Sequence, residues 1–252
     1  MEGSAFFRQW LGPHMLFSCC AFSGLDADDL VSAQVMRMRA IAESLELEPG
    51  VKVLVVRCEW GGLACYLARH YGVLVTGVST DAVRVAAASR WATEERQQER
   101  TGFVRGSIDG IEGRFDRIIC VRLFEIFNEI PRECLLRHLN GSGIALIHRI
   151  REPKPHDSNC HNAVLNSRAR DGGEGQDKAP LVEDLSRDFL LTLRCWEDNL
   201  LRTRQFRALG SVASEWVAVV NQFISAFDNG EVMMEQVILR HLIGNGAMVD
   251  SL

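Results

Sequence analysis

The chain has no apolar run approaching the roughly 18 residues that a membrane span needs. It also has no basic excess: 28 Lys and Arg stand against 33 Asp and Glu, a net charge of −5. An acidic balance lacks the footprint of a nucleic-acid binder, so no nucleic-acid partner is expected. The N-terminus, MEGSAFFRQW, lacks the basic-then-apolar layout of a secretory leader. Eight cysteines, at 19, 20, 58, 65, 120, 134, 160 and 195, form no C-x-x-C pair, and most fall inside apolar runs. That is the usage of reduced, buried thiols, so a cytoplasmic protein is expected. No internal repeat is visible. What is present is ordinary for a globular chain: 252 residues, 47% hydrophobic and 24% charged, enough for one large domain with a sizeable core.

Residues 5–24 are rich in aromatics and cysteine and read as a short helix followed by an apolar loop. Residues 28–47 carry apolar side chains at helical spacing, with Asp26 or Asp28 as the cap and Pro49-Gly50 as the stop. Short β-branched runs and amphipathic runs then alternate. Strands are expected at 51–56, 73–78, 102–105, 115–121 and 143–148, and helices at 61–70, 81–97 and 131–138. This rhythm predicts a parallel sheet with helices on both faces. Residues 151–180 are polar and rich in Gly, Asp and Asn, and predict a loop. Two amphipathic runs, 185–206 and 212–227, and a final strand at 232–242 follow. The domain division expected is a helical cap over 1–50 and an α/β domain over 51–252.

In an open α/β sheet, ligands sit at the carboxyl ends of the strands, so the loop after the first strand is informative. There the chain reads V-L-V-V-R-C-E-W-G-G-L-A over 53–64. This resembles the V-L-D-I-G-C-G-W-G-G-L-A loop that holds S-adenosylmethionine (SAM) in the cyclopropane fatty acid synthase family, which includes the mycolic acid cyclopropane synthases. Further matches run in order. Phe17-Ser18-Cys19 resembles Y-S-C, Ala33-Gln34 resembles A-Q, and Val75-Thr76-Gly77-Val78 resembles V-T-G-V. Phe115-Asp116-Arg117-Ile118 resembles F-D-R-I, Phe124-Glu125 the start of F-E-H, His148-Arg149-Ile150 H-x-I, and Thr192-Leu193 with Trp196 T-L-x-x-W. The resemblance implies a Rossmann-like, seven-stranded methyltransferase sheet with helices on both faces and an N-terminal helical cap.

The departures fall in the cofactor loop. The acidic position is Val55, and two glycine positions are Arg57 and Glu59, so only Gly61 and Gly62 remain. Only glycine combines dihedral freedom with the absence of a side chain. Arg122 replaces a glycine before Phe124-Glu125, and Arg84 replaces a glutamine after the second strand. Charged groups here are expected to fill the cofactor's space with an ion pair around Glu59. The competing readings are that two arginines hold an anion, or that the side chains swing to solvent. The expectation is therefore a chain without a cofactor, SAM being disfavoured.

In the family, SAM methylates a lipid alkene and a bicarbonate ion acts as base. The residues around that ion match Cys19, Glu125, His148 and Ile150. The tyrosine of the set falls at Phe189, and the histidine after the glutamate at Ile126, so bicarbonate is disfavoured too. Glu125 and His148 remain an acid/base pair in an apolar setting, with Cys19 beside them as a thiol that needs stabilisation to react. Phe17, Ile150, Phe189 and Trp196 are the expected walls of a substrate pocket. His156, Cys160 and His161 lack a fourth ligand, and no metal is expected. The glycine-rich stretch 171–175 follows no strand and reads as a loop.

Three functions compete. The first is a repurposed enzyme: SAM-independent cyclisation, isomerisation or elimination on a small hydrophobic substrate of lipid, polyketide or terpene type. The second is a SAM-dependent C-methyltransferase or cyclopropane synthase. The third is a non-catalytic pseudoenzyme that serves a partner. The first is preferred on the retained cluster and the altered loop. Self-association into a homo-oligomer is open.

Overall fold

The structure is a computed structural model, and it describes residues 2–121, 131–153, 180–203 and 210–241. Arg122, Glu125, Ile126, His156, Cys160, His161 and the stretch 171–175 lie outside the described residues.

Seven strands form one sheet: β1 (Lys52–Val56), β2 (Leu74–Ser79), β3 (Thr101–Arg105), β4 (Phe115–Val121), β5 (Leu139–Arg151), β6 (Leu181–Asp184) and β7 (Met233–Arg240). Their spatial order is β3-β2-β1-β4-β5-β7-β6. The helices are α1 (Glu2–Leu11), α2 (Leu30–Ser44), α3 (Gly62–Tyr71), α4 (Ala82–Glu94), α5 (Arg132–His138), α6 (Ser186–Thr203) and α7 (Gly210–Asp228). The first five strands are parallel, as the alternating pattern predicts. At the far edge of the sheet β7 runs antiparallel to both β5 and β6. α7 passes into β7 through a turn at Asn229-Gly230, with Gly230 at φ +70°. β6 falls outside every expected element, because its four residues follow the polar stretch without a pattern of their own.

Caps set the helix starts. Asp29, rather than Asp26 or Asp28, caps α2 by accepting from Ser32 N at 3.0 Å. Asp81 caps α4 by accepting from Val83 N at 2.8 Å and Arg84 N at 3.3 Å. Gly72, at φ +66°, ends α3. β1 buries four of its five residues, which is why it reads as a continuous apolar run. One face of the sheet packs on α2 and α3 through Met38, Ile41, Leu67 and Ile119. The other packs on α5 through Leu54, Ile118 and Leu135. A third core joins α1, the segment 15–22, α6 and α7. Among the described residues, no helix is long and apolar enough to cross a membrane.

Candidate functional site

The loop after β1 keeps a glycine-like backbone without the glycines. Arg57 has φ +58°, Glu59 +48° and Gly61 +85°. A residue with a Cβ in the left-handed region costs about 1–2 kcal/mol, so the fold holds two such residues against local preference. Glu59 is fixed by an ion pair with Arg84 Nη1. Arg84 Nε also lies 3.4 Å from Asp81 Oδ2, and its guanidinium sits over Trp60, 5.6 Å from the ring centroid. Burial, then the neighbouring Arg57 charge, lowers the proton affinity of Arg84. The pair therefore bridges the loops that follow β1 and β2, at the strand ends where this fold class places ligands.

The two surviving glycines serve close approach. A Cβ on Gly62 would lie 1.9 Å from the His14 carbonyl oxygen, and one on Gly61 would lie 2.8 Å from Ala88 Cβ. Gly62 thus lets the segment after α1 cross directly over the start of α3. Val55 is buried in the core between α2, α3 and the sheet, so an apolar side chain suits the position. Beside the loop opens a cleft of about 340 Å³, floored by Met15, Trp60, Ala87 and Trp91. Arg8 lies over Trp91 at its edge, 4.7 Å from the ring centroid.

The second part of the site lies at the end of β5. His148 is fully buried. Its Nδ1 is 3.0 Å from Ser18 Oγ, and its Nε2 is 3.0 Å from Gln236 Oε1. Burial, with the Arg37 charge adding to it, pulls the imidazole down to about 3, so it is neutral. Gln236 in turn donates from Nε2 to Glu183 Oε2 at 3.1 Å. Both ring nitrogens are engaged, and the surroundings of His148 are those of a core histidine with its hydrogen bonds satisfied.

Cys19 is enclosed in the same way. Its thiol is buried, donates to Cys20 O at 3.1 Å and is pushed up to about 12, mainly by desolvation. A thiol so placed is held in its protonated form. The segment around it is anchored from two helices. Arg37 of α2, 3% exposed, donates to Cys20 O at 3.3 Å and to Asp188 Oδ2 at 3.2 Å. Cys20 N donates to Thr192 Oγ1 at 3.0 Å, and Phe22 N to Asp188 Oδ1 at 3.3 Å.

The four residues expected to wall a substrate pocket do come together. Phe17 stacks on Trp196 at 5.6 Å with an interplanar angle of 16°. Phe189 meets Trp196 edge-on at 6.4 Å and Phe227 at 5.2 Å. Ile150 belongs to the same cluster, into which Trp10 and Trp216 also pack. Phe189, Trp196 and Ile150 are all buried, so they form packed wall rather than open surface. The indole Nε1 atoms of Trp10 and Trp196 are buried without a hydrogen-bond partner.

Sequence reasoning passed over Ser18, Arg37, Glu183, Asp188 and Gln236 as site residues. A signal existed for one pair. Glu235-Gln236 interrupts an otherwise apolar strand, MMEQVILR, and a polar pair inside such a run calls for partners. Glu235 finds Arg149 at 2.5 Å and Arg151 at 2.9 Å on the opposite face of the sheet from His148.

The family model for mycolic acid cyclopropane synthetase matches residues 2–166. The cyclopropane-fatty-acyl-phospholipid synthase of Escherichia coli K12 is 28% identical over 98% of this chain and 68% of its own length. The mycolic acid cyclopropane synthase CmaA1, solved with SAH and CTAB, superposes with a TM-score of 0.76 at 19% identity, over 94% of both chains. The cyclopropane synthase MmaA2 from Mycobacterium tuberculosis gives 0.77 at 18% identity, over 95% of this chain and 94% of its own. These matches overturn the expectation of a chain that does without a cofactor. The family match spans the loop, and a relative of the same fold was solved with SAH. The chain belongs to the mycolic acid cyclopropane synthetase family.

Proposed function

We propose that the chain is a SAM-dependent C-methyltransferase of the cyclopropane synthase type, acting on the double bond of an apolar, acyl-like substrate. The observation that carries this reading is the left-handed backbone at 57, 59 and 61 in a chain whose family match spans that loop. The residues that would hold the cofactor are those of the loop 57–62, whose left-handed turns at 57, 59 and 61 favour a close approach of backbone to ligand, with Arg84 and Glu59 meeting it as a charge-balanced pair. SAM supplies an electrophilic methyl group.

The chain's own residues orient, exclude and accept. The cleft beside the loop has an apolar floor of Met15, Trp60 and Trp91 and a charged rim of Arg8, Arg90 and Glu94. The aromatic cluster around Phe17, Trp196 and Phe189 keeps water from the end of β5, which strengthens every charge interaction there. The proton released as product forms is assigned to Glu125, because His148 and Cys19 are both committed to structural hydrogen bonds.

The test has two arms. Calorimetric titration of SAH into the full chain should show micromolar binding. Methyl-labelled SAM with vesicles of unsaturated phospholipid should then yield labelled lipid, and Glu125→Gln should abolish the labelling while leaving SAH affinity intact. Folded protein that binds neither SAM nor SAH overturns the reading.

A further inference from the structure

The register of the sheet lines up three polar residues. Gln236 of β7 is paired with His148 on one side and with Glu183 of the edge strand β6 on the other. The row continues through His148 to Ser18, so four side chains run Glu183, Gln236, His148, Ser18 at separations of 3.1, 3.0 and 3.0 Å. Ser18 and His148 are fully buried and Gln236 is 3% exposed, so water does not substitute for a wrongly placed proton.

We infer that Glu183 and Gln236 are positioning residues that fix the tautomer of His148 and, through it, the direction of the Ser18 hydroxyl. The argument follows donors and acceptors along the row. An ionised carboxylate only accepts, so Gln236 turns its NH2 toward Glu183. Its Oε1 then faces His148, and a carbonyl oxygen also only accepts, so His148 carries its proton on Nε2. The imidazole is neutral, held near 3 by burial, so Nδ1 keeps a lone pair and Ser18 must donate to it. One acceptor at the sheet edge thereby sets every proton in the row, three strands away from the segment 17–20. Ser18 has its hydrogen spent and anchors that segment to β5, while Arg37 and Thr192 anchor it to α2 and α6.

The inference does not depend on the methyl-transfer reading and needs no turnover to test. Long-range proton–nitrogen correlation spectra of full-length protein labelled at histidine nitrogen report which ring nitrogen bears the proton. The wild type should show His148 as the Nε2–H form alone. Glu183→Lys replaces an acceptor with a donor at the exposed end of the row. Gln236 should then flip, and His148 should switch to the Nδ1–H form with Ser18 accepting. Ser18→Ala should leave the Nε2–H form unchanged, because the row is set from its other end. An Nδ1–H form in the wild type, or an Nε2–H form that survives Glu183→Lys, overturns the inference. If the lysine variant does not fold, Glu183→Met, which removes the acceptor without adding a donor, should give both tautomers. A single Nε2–H form there overturns the inference equally. Failure of SAH binding would sink the proposed activity and leave this result untouched.

Discussion

The loop after β1 and the row at the end of β5 depart from expectation in opposite ways. In the loop, residue identities change while the backbone shape stays: Arg57 and Glu59 take left-handed conformations that suit glycine. At the end of β5, residue identities stay while their chemical freedom disappears. His148 and Cys19 are the residues that the sequence resemblance singles out, yet each is buried and hydrogen-bonded. Identity and conformation are separate variables, and function follows their combination. A changed loop keeps left-handed turns at 57 and 59, and a buried histidine spends both ring nitrogens on hydrogen bonds.

The largest expected effect tests how the loop is held. Gly62→Val drives a Cβ into the His14 carbonyl oxygen, a backbone atom that cannot rotate away. It should cost at least about 3 kcal/mol, seen as a lowered urea midpoint, and Gly62→Ala should cost less. A neutral Gly62→Val would mean that the segment after α1 is not seated on α3.

The next test addresses the histidine by linkage. The folded value of His148, about 3, lies below the unfolded value of 6.5. The unfolded chain therefore binds a proton that the native state refuses, and stability is complete above pH 6.5 and is lost as pH falls toward 3. Between pH 6.5 and 5, ahead of the carboxylates, this amounts to about 2 kcal/mol. Denaturant unfolding across that range should show the slope, and His148→Gln should remove most of it. His14, also lowered by burial, contributes in the same direction and leaves a residual slope in the variant. A wild type as stable at pH 5 as at pH 7 would mean that His148 is accessible, and would restore it as an acid/base candidate.

A smaller effect is expected at Glu59. Glu59→Gly relieves about 1–2 kcal/mol of backbone strain, but it loses an ion pair worth up to about 1 kcal/mol and gains unfolded-state freedom. Net stability should change by less than about 1 kcal/mol. SAH affinity, measured by calorimetry, should rise several-fold once the paired side chains no longer bridge the two loops. Equal affinity in wild type and variant would place the Glu59–Arg84 pair outside the cofactor's contact surface.

The smallest effect is a null one. Cys19, buried with its thiol near 12, should resist a thiol-labelling reagent at pH 8 in the native state and label only after unfolding. Rapid native labelling would mean that the segment 17–20 opens to solvent.

Much of the fold was legible because its signals are local. Continuous apolar runs found β1 and β4 within a residue of their observed ends, and Pro131 marked the start of α5. The weak points are also physical. β6 is only four residues long and exposes most of them, so neither periodicity nor hydrophobicity marks it. β5 extends to Leu139 on one side, where it pairs with Phe115 of β4, and to Arg151 on the other, where it pairs with Met233 of β7, so neighbouring strands recruit flanking residues whose own preference is neutral. For the candidate site, the resemblance singled out Cys19, Phe17, His148, Ile150, Phe189 and Trp196. It did not locate the partners that determine what two of them do, since Gln236 lies 88 residues from His148 and Ser18 lies 130.

The sequence by itself determined the order of the elements, the position of the loop and the types of side chain on offer, because these depend on neighbours within a few residues along the chain. Tertiary structure alone decided the direction of β7, the pairing of Glu59 with Arg84 and the protonation of His148. The reason is that a buried polar group takes its charge and tautomer from whichever donors and acceptors packing places within about 3 Å. Those arrive from distant strands, brought there by the burial of apolar residues and not by any local preference of their own.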